Sequence, residues 1–182
     1  MTKRVDDIIN EVIQIEAGYV NHPADRGGPT RYGITEAVAR ANGYKGAMQN
    51  LPRAFAHQLL KKRYFIEPGF EAAAEISREI AEELTDTGVN MGPPVATRFL
   101  QVALNALNRD QQDYADIDED GQLGPVTLRT LRAFLDKRGR LGEQVMLTAL
   151  NCQQGARYID IVRRDASQEA FIFGWLANRV VL

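Results

Sequence analysis

Val5, Ile8, Ile9, Val12 and Ile13 recur at the three- and four-residue spacing of one helix face, and Asp6, Asp7, Asn10, Glu11 and Gln14 fill the opposite face. A stripe of this kind must be buried against other elements. Those elements are helical too, because no long stretch of the remaining sequence alternates apolar and polar residues as a half-buried strand would. The chain is therefore expected to be mainly α.

Gly18 is placed to end the first helix. The segment 19–35 that follows carries Pro23, Gly27, Gly28, Pro29 and Gly33 among polar residues, which predicts turns and a short irregular loop or hairpin. Thr35 reads as the N-cap of a short helix ending near Gly43, and another helix is expected from about Pro52 to Tyr64. A longer helix carrying Ile76, Ile80 and Leu84 runs toward Val89 and stops at Gly92, Pro93 and Pro94. Proline has no amide hydrogen to donate, and its ring clashes with the preceding turn. Val95, Phe99, Val102, Ala103 and Leu107 mark the next helix, residues 108–122 read as a polar acidic loop, and two or three helices follow from Pro125, with Gly139, Gly142 and Gly174 as interruptions.

With 182 residues, 45% of them apolar, the chain is long enough for one sizeable core, alone or with an intimate second lobe. Cys152 is the only cysteine, so no intramolecular disulfide can form, which fits folding in a reducing cytoplasm. A net charge of −2 gives no global basic field, and nucleic acid is not an expected partner. No apolar run follows Met1–Asp7 that would serve as a signal peptide or a membrane span. Synthesis in the cytoplasm, no stable membrane insertion and a monomeric state are therefore expected.

Projected at about 100° per residue, Glu16 falls in the middle of the apolar stripe of the first helix. A carboxylate there is expected to be partly desolvated, which favours its protonated form and suits a general acid; the plain alternative is a helix-end residue turned to solvent. Asp25 and Thr30 lie in the Gly- and Pro-rich loop that follows, where they can converge with Glu16 to position a water or stabilise developing positive charge. Asp25 can equally cap its own backbone in a solvated turn. Gly27 and Gly28 would let the backbone approach a sugar ring closely.

Asp116, Asp118, Asp120 and Gly121 match the first half of a calcium loop, but the twelfth position is Thr127 rather than a bidentate Glu. His22 and His57 have no zinc-ligand spacing with each other or with Cys152. Neither a metal nor another cofactor is expected.

The run Glu16, Ala17, Gly18, Tyr19, then Asp25, Gly27, Gly28, Thr30, Gly33, Ile34 and Thr35 resembles the glycoside hydrolase family 108 N-acetylmuramidases, which include phage endolysins and related bacterial proteins. The order Glu, loop Asp, loop Thr is also similar to the catalytic set of phage-type lysozymes, with a Glu16-Ala17-Gly18 departure from the family's usual paired glycines and an Asp-to-Thr spacing one residue shorter than in those lysozymes. Asp86, Val89, Asn90, Gly92, Leu100 and Gln101 look like the family's second block. Asp120, Gly121, Leu123, Gly124, Pro125, Thr127 and Leu128 resemble the opening of its peptidoglycan-binding-like region, and Arg157, Tyr158, Gly174, Trp175, Asn178 and Arg179 its close.

The resemblance implies a lysozyme-like helical fold, with residues 1–94 as the muramidase catalytic region and 95–182 as a peptidoglycan-binding-like region packed into the same body. It implies hydrolysis of the β-1,4 bond between N-acetylmuramic acid and N-acetylglucosamine in peptidoglycan glycan strands. Glu16, Asp25 and Thr30 would be catalytic, and Tyr19, Gly28, Tyr32 and Asn90 would bind substrate. Without a signal peptide, such an enzyme needs a holin or a secretion system to act in the periplasm or at the cell wall. From the residues alone, Asn90 can face a cleft and bind an N-acetyl group or cap the helix break, and Trp175 fits core packing better than sugar stacking. The alternative function is a non-catalytic wall-binding or secretion-associated protein on the same fold.

Overall fold

The computed structural model describes residues 4–16, 18–20 and 28–180. They form two compact units, residues 4–67 and residues from 68 onward. Among the described residues the fold is mainly α with one small sheet, as the patterning predicts.

In the first unit, α1 (Val5–Ile15) buries Ile8, Ile9 and Ile13. Strands β1 (Tyr19–Val20), β2 (Thr30–Arg31) and β3 (Ile34–Thr35) form an antiparallel sheet in that order, pairing Tyr19 with Arg31, Val20 with Thr30, and Arg31 with Ile34. Thr35 ends β3 and caps α2 (Glu36–Ala41), its Oγ1 accepting the Val38 N–H at 3.4 Å. Helix α3 (Arg53–Lys61) starts after Pro52 and runs on as a π turn over Lys62–Ile66, which absorbs the last residues of the expected helix. Ile9 and Ile13 meet Ile34, Ala39, Met48, Leu51, Ala56 and Leu60 in one core. Two polar clasps fix α1 on α3: Lys61 Nζ to Asp6 Oδ1 at 3.0 Å and Arg53 Nη2 to Asn10 Oδ1 at 2.9 Å.

The second unit holds α4 (Phe70–Ala74), α5 (Arg78–Met91), α6 (Pro93–Ala106), α7 (Pro125–Arg164) and α8 (Glu169–Arg179). Ile76 lies outside α5, contrary to the expected run with Ile80 and Leu84. The reason is Ser77, whose Oγ accepts the Ile80 N–H at 3.1 Å and starts the helix there. The break at Gly92 falls where the two prolines place it, with Pro93 opening α6.

Of the three glycines expected to interrupt the C-terminal helices, only Gly139 does so, at φ 57° and ψ −150° within α7. Gly174 sits inside α8. Gly142 is buried in α7, and a Cβ there would lie 2.2 Å from Arg138 Cβ. Its missing side chain is what lets the chain fold tightly after the Gly139 kink.

The acidic loop after α6 is pinned by one buried amide. Gln101 Nε2 donates to Asp120 Oδ1 at 2.8 Å, and to Gln122 O and Thr127 Oγ1 at 3.2 Å each, while its Oε1 accepts the Gly121 N–H at 2.8 Å. Gln101→Leu keeps the volume but strands these partners, so it should destabilise the chain by about 3 kcal/mol. Chemical denaturation of the variant beside the wild type reads this directly, and a change within experimental error would contradict it.

Candidate active site

The last turn of α1 and the β2–β3 turn bring the first group of candidate residues together. Glu16 is the C-cap of α1; its backbone N–H still bonds Val12 O at 3.0 Å while its φ and ψ, −93° and 19°, leave the helix. Its side chain is exposed, so the partial desolvation expected from the stripe is not realised. Helix angle alone does not bury a residue. The core that covers Ile9 and Ile13 comprises residues of β3, α2 and α3, and Glu16 is not among them.

What Glu16 does touch is the hairpin. Tyr32 at φ 55° and Gly33 at φ 70° close the Arg31–Ile34 pair, both with positive φ, which is a type I′ turn. A Cβ on Gly33 would lie 3.3 Å from Glu16 Cγ and 3.8 Å from its carboxyl carbon. Gly33 therefore serves two needs at once: the turn requires positive φ, and the acid side chain occupies the space a methyl group would fill.

Tyr32 is a non-glycine residue held in the left-handed region, at a cost of about 1 kcal/mol. Its ring is half-buried against the Ile9 core. The Arg31 guanidinium carbon stands 4.9 Å from the ring centroid, and Arg31 Nη2 donates to the Tyr32 hydroxyl at 3.3 Å. Arg31, no candidate on sequence grounds, also has its Nε buried with no hydrogen-bond partner among the described residues. Nothing in a single Arg between two turn residues signals this.

The sheet ties the remaining candidates to the same turn. Tyr19 pairs with Arg31 and is 42% exposed. Thr30 is half-buried, and its Oγ1 donates to Gly28 O at 3.1 Å, so the hydroxyl proton is engaged locally. Gly28 itself has φ 68°. Asp25 and His22 lie outside the described residues. Asn90 belongs to the second unit, exposed near the end of α5; its Nδ2 donates to Asp86 O at 2.7 Å, so the amide bonds its own helix one turn back rather than capping the break.

The second unit has a polar interior that apolar periodicity could not reveal. Glu82, Glu83, Thr85, Asp86 and Thr87 on α5 are all buried. Burial first, and Asp86 second, push the Glu83 carboxyl up to about 7, against the hydrogen bonds it accepts from Asn151 and Thr87. Asp86 is paired with Arg179 of α8 at 2.5 Å, and Gln154 Nε2 donates to Thr87 Oγ1 at 3.1 Å. Burial and then Asp86 also push the Tyr158 hydroxyl up to about 12. Trp175 is half-buried, its ring stacked 5.1 Å from Tyr158 and 6.0 Å from Phe171.

Among the described residues no three His, Cys, Asp or Glu side chains group as metal ligands. Two carboxylates of the acidic loop are engaged structurally: Asp120 by Gln101 and the Gln122 N–H, and Asp116 by Asn108 Nδ2 at 2.6 Å. Among the described residues no helix is long and apolar enough to cross a membrane.

Comparison with known proteins divides the chain in two. Residues 9–92 match the family model of glycosyl hydrolase 108, and residues 95–180 match that of a predicted peptidoglycan domain. None of the curated proteins matches. Among solved structures, that of Brucella abortus SagA aligns over 95% of this chain and 87% of its own, with a TM-score of 0.56 and 21% sequence identity, a likeness of fold.

Glu83 makes stability pH-dependent. Its folded value lies near 7 and its unfolded value near 4.5, so the unfolded chain releases this proton first as pH rises. Glu83 therefore withdraws stability across that window, and the loss is complete above it, reaching on the order of 3 kcal/mol. Glu83→Gln keeps the neutral form at every pH. Its melting temperature should gain on the wild type from about pH 5 to about pH 7 and hold a constant lead above. A lead that is absent or independent of pH would refute this.

Proposed function

We propose that this chain, whose residues 9–92 match the family model of glycosyl hydrolase 108 and whose residues 95–180 match that of a predicted peptidoglycan domain, is an N-acetylmuramidase with Glu16 as its general acid. A glycoside hydrolase joined to a peptidoglycan domain acts on peptidoglycan. The finer reading is cleavage of the β-1,4 bond between N-acetylmuramic acid and N-acetylglucosamine. The observation that carries it is the contact of the Glu16 side chain with Gly33 of the positive-φ turn, beside Tyr32 and Thr30.

In this scheme Glu16 protonates the glycosidic oxygen as the bond to the anomeric carbon breaks, and a water adds to that carbon and loses its proton. Asp25 and Thr30 hold or activate the water, or stabilise the oxocarbenium charge. Tyr19 and Tyr32 offer ring faces to the sugars, and Gly28 lets the strand approach. Glu16 is exposed in the free chain, so the bound glycan itself would exclude water and favour the protonated acid. The Arg31 guanidinium beside the Tyr32 ring has the charge and planar donors that suit the lactyl carboxylate that distinguishes N-acetylmuramic acid. Access to the wall would come through a holin, as for an endolysin causing cytolysis, or through a secretion system.

Glu16→Gln keeps shape and removes the transferable proton, so hydrolysis of purified peptidoglycan should fall by about 10²–10⁴-fold with melting unchanged. New reducing ends made by the wild type should carry N-acetylmuramic acid; N-acetylglucosamine there would make the enzyme a glucosaminidase. Near-normal turnover by Glu16→Gln would remove Glu16 as the acid. Gly33→Ala should cost about 1 kcal/mol of stability through its left-handed φ. It should also slow turnover more than this loss explains, because the new methyl group displaces Glu16. A Gly33→Ala enzyme that melts lower but turns over normally would separate the turn from catalysis.

A further inference from the structure

Just beyond the Gly139 kink, α7 leaves aliphatic side chains in solvent: Leu141 is 69% exposed and Val145 40%. With Leu107, Phe134, Arg138 and Gly142 they bound a groove of about 160 Å³, open to solvent. Its rim is positive. Arg138 reaches from the groove to Asp113 at 3.3 Å, Lys137 meets the same carboxylate at 2.5 Å, and Arg109 Nε at 3.0 Å. These cations hold the Asp113 carboxyl well below the usual range, led by Arg109 and then Lys137. Three cations share one carboxylate, so the cluster carries surplus positive charge beside an apolar trough.

We propose that this groove binds the stem peptide of peptidoglycan, alanine methyl groups against Leu141 and Val145 and free carboxylates on Arg138 and Lys137. The inference rests on the reading that the chain acts on peptidoglycan, and it names the part of that polymer the 95–180 region recognises. Ligand grooves of this kind combine an apolar lining with a few charged groups that fix orientation. The stem peptide has both chemistries at residue spacing: small methyl side chains alternating with carboxylates, which guanidinium and ammonium groups take in charge-assisted hydrogen bonds. The glycan strand fits poorly. Sugars want an open aromatic face and many hydrogen-bonding groups, whereas Phe134 is only 2% exposed and Arg138 is the one polar side chain in the lining. A second copy of the chain would bring like charge to the rim.

The test uses the full chain and the free tetrapeptide L-Ala–γ-D-Glu–meso-diaminopimelate–D-Ala, with methyl NMR as readout. Saturable shifts at the Leu107, Leu141 and Val145 methyls are expected. Affinity should fall about tenfold or more in Leu141→Glu and in Lys137→Met, two exposed positions whose variants are checked for folding by their melts. No saturable shift, shifts confined to other methyls, or unchanged affinity in both variants would overturn the proposal. So would peptide-free glycan that shifts the same methyls in place of the peptide. Digestion of peptide-free glycan by the wild type is measured separately. Digestion without peptide binding defeats the groove alone, and peptide binding without digestion supports the groove while defeating the muramidase reading.

Discussion

Burial of Ile9 and Ile13 fixes the geometry of the first unit. These side chains share one core with Ile34, Ala39, Met48, Leu51, Ala56 and Leu60, so α1, the β-hairpin, α2 and α3 are all registered against the same apolar contacts. Glu16 follows Ile13 by three residues, and Gly33 immediately precedes Ile34. The acid and the turn it touches are thus placed by two side chains of a single cluster, and neither can shift without disturbing it.

The interior of the second unit is organised on a different principle. Gln101 bonds three groups of the acidic loop and Thr127 of α7 at once, and Glu83, Asp86, Thr87, Gln154 and Arg179 join α5 to α7 and α8 through polar contacts. Each such contact contributes little net stability, since it replaces bonds to water, but each lost partner leaves a buried group unsatisfied. Glu83 is the extreme case: it is more stable neutral than charged, so the network is strongest where the carboxyl keeps its proton.

The polar and apolar surfaces of this unit follow from one local feature. Gly139 leaves the helical region and Gly142 permits close packing against Arg138. Arg138 is turned onto Asp113, while Leu141 and Val145 stay in water.

How much of this was legible in the sequence differs element by element. Local chemistry gave the apolar stripe of α1, the Thr35 cap, the break at Gly92 and Pro93, and the turn character of residues 28–35, since each depends on neighbours a few residues apart. The apolar stripe and the Gly- and Pro-rich loop offered Glu16 and Thr30 as candidates, the family resemblance gave them roles, and the hairpin brings Thr30 to the small sheet and Gly33 against Glu16. Whether Ile76 joined α5 was a contest between an apolar period and the Ser77 hydroxyl, and only the folded backbone shows that the cap prevailed. Asn90 read equally well as a ligand group or a cap; its amide bonds the Asp86 carbonyl one turn back rather than capping the break. Gly142 and Gly174 looked like breaks, yet glycine only permits a break; packing decides whether it is used. The exposure of Glu16 ran against expectation, and the burial of Glu83 had no sequence signal, for the same reason. Sequence period tells which face a side chain is on, but its contact with water, and so its proton affinity, depends on what other segments of the chain bring over that face, which only the tertiary structure determines.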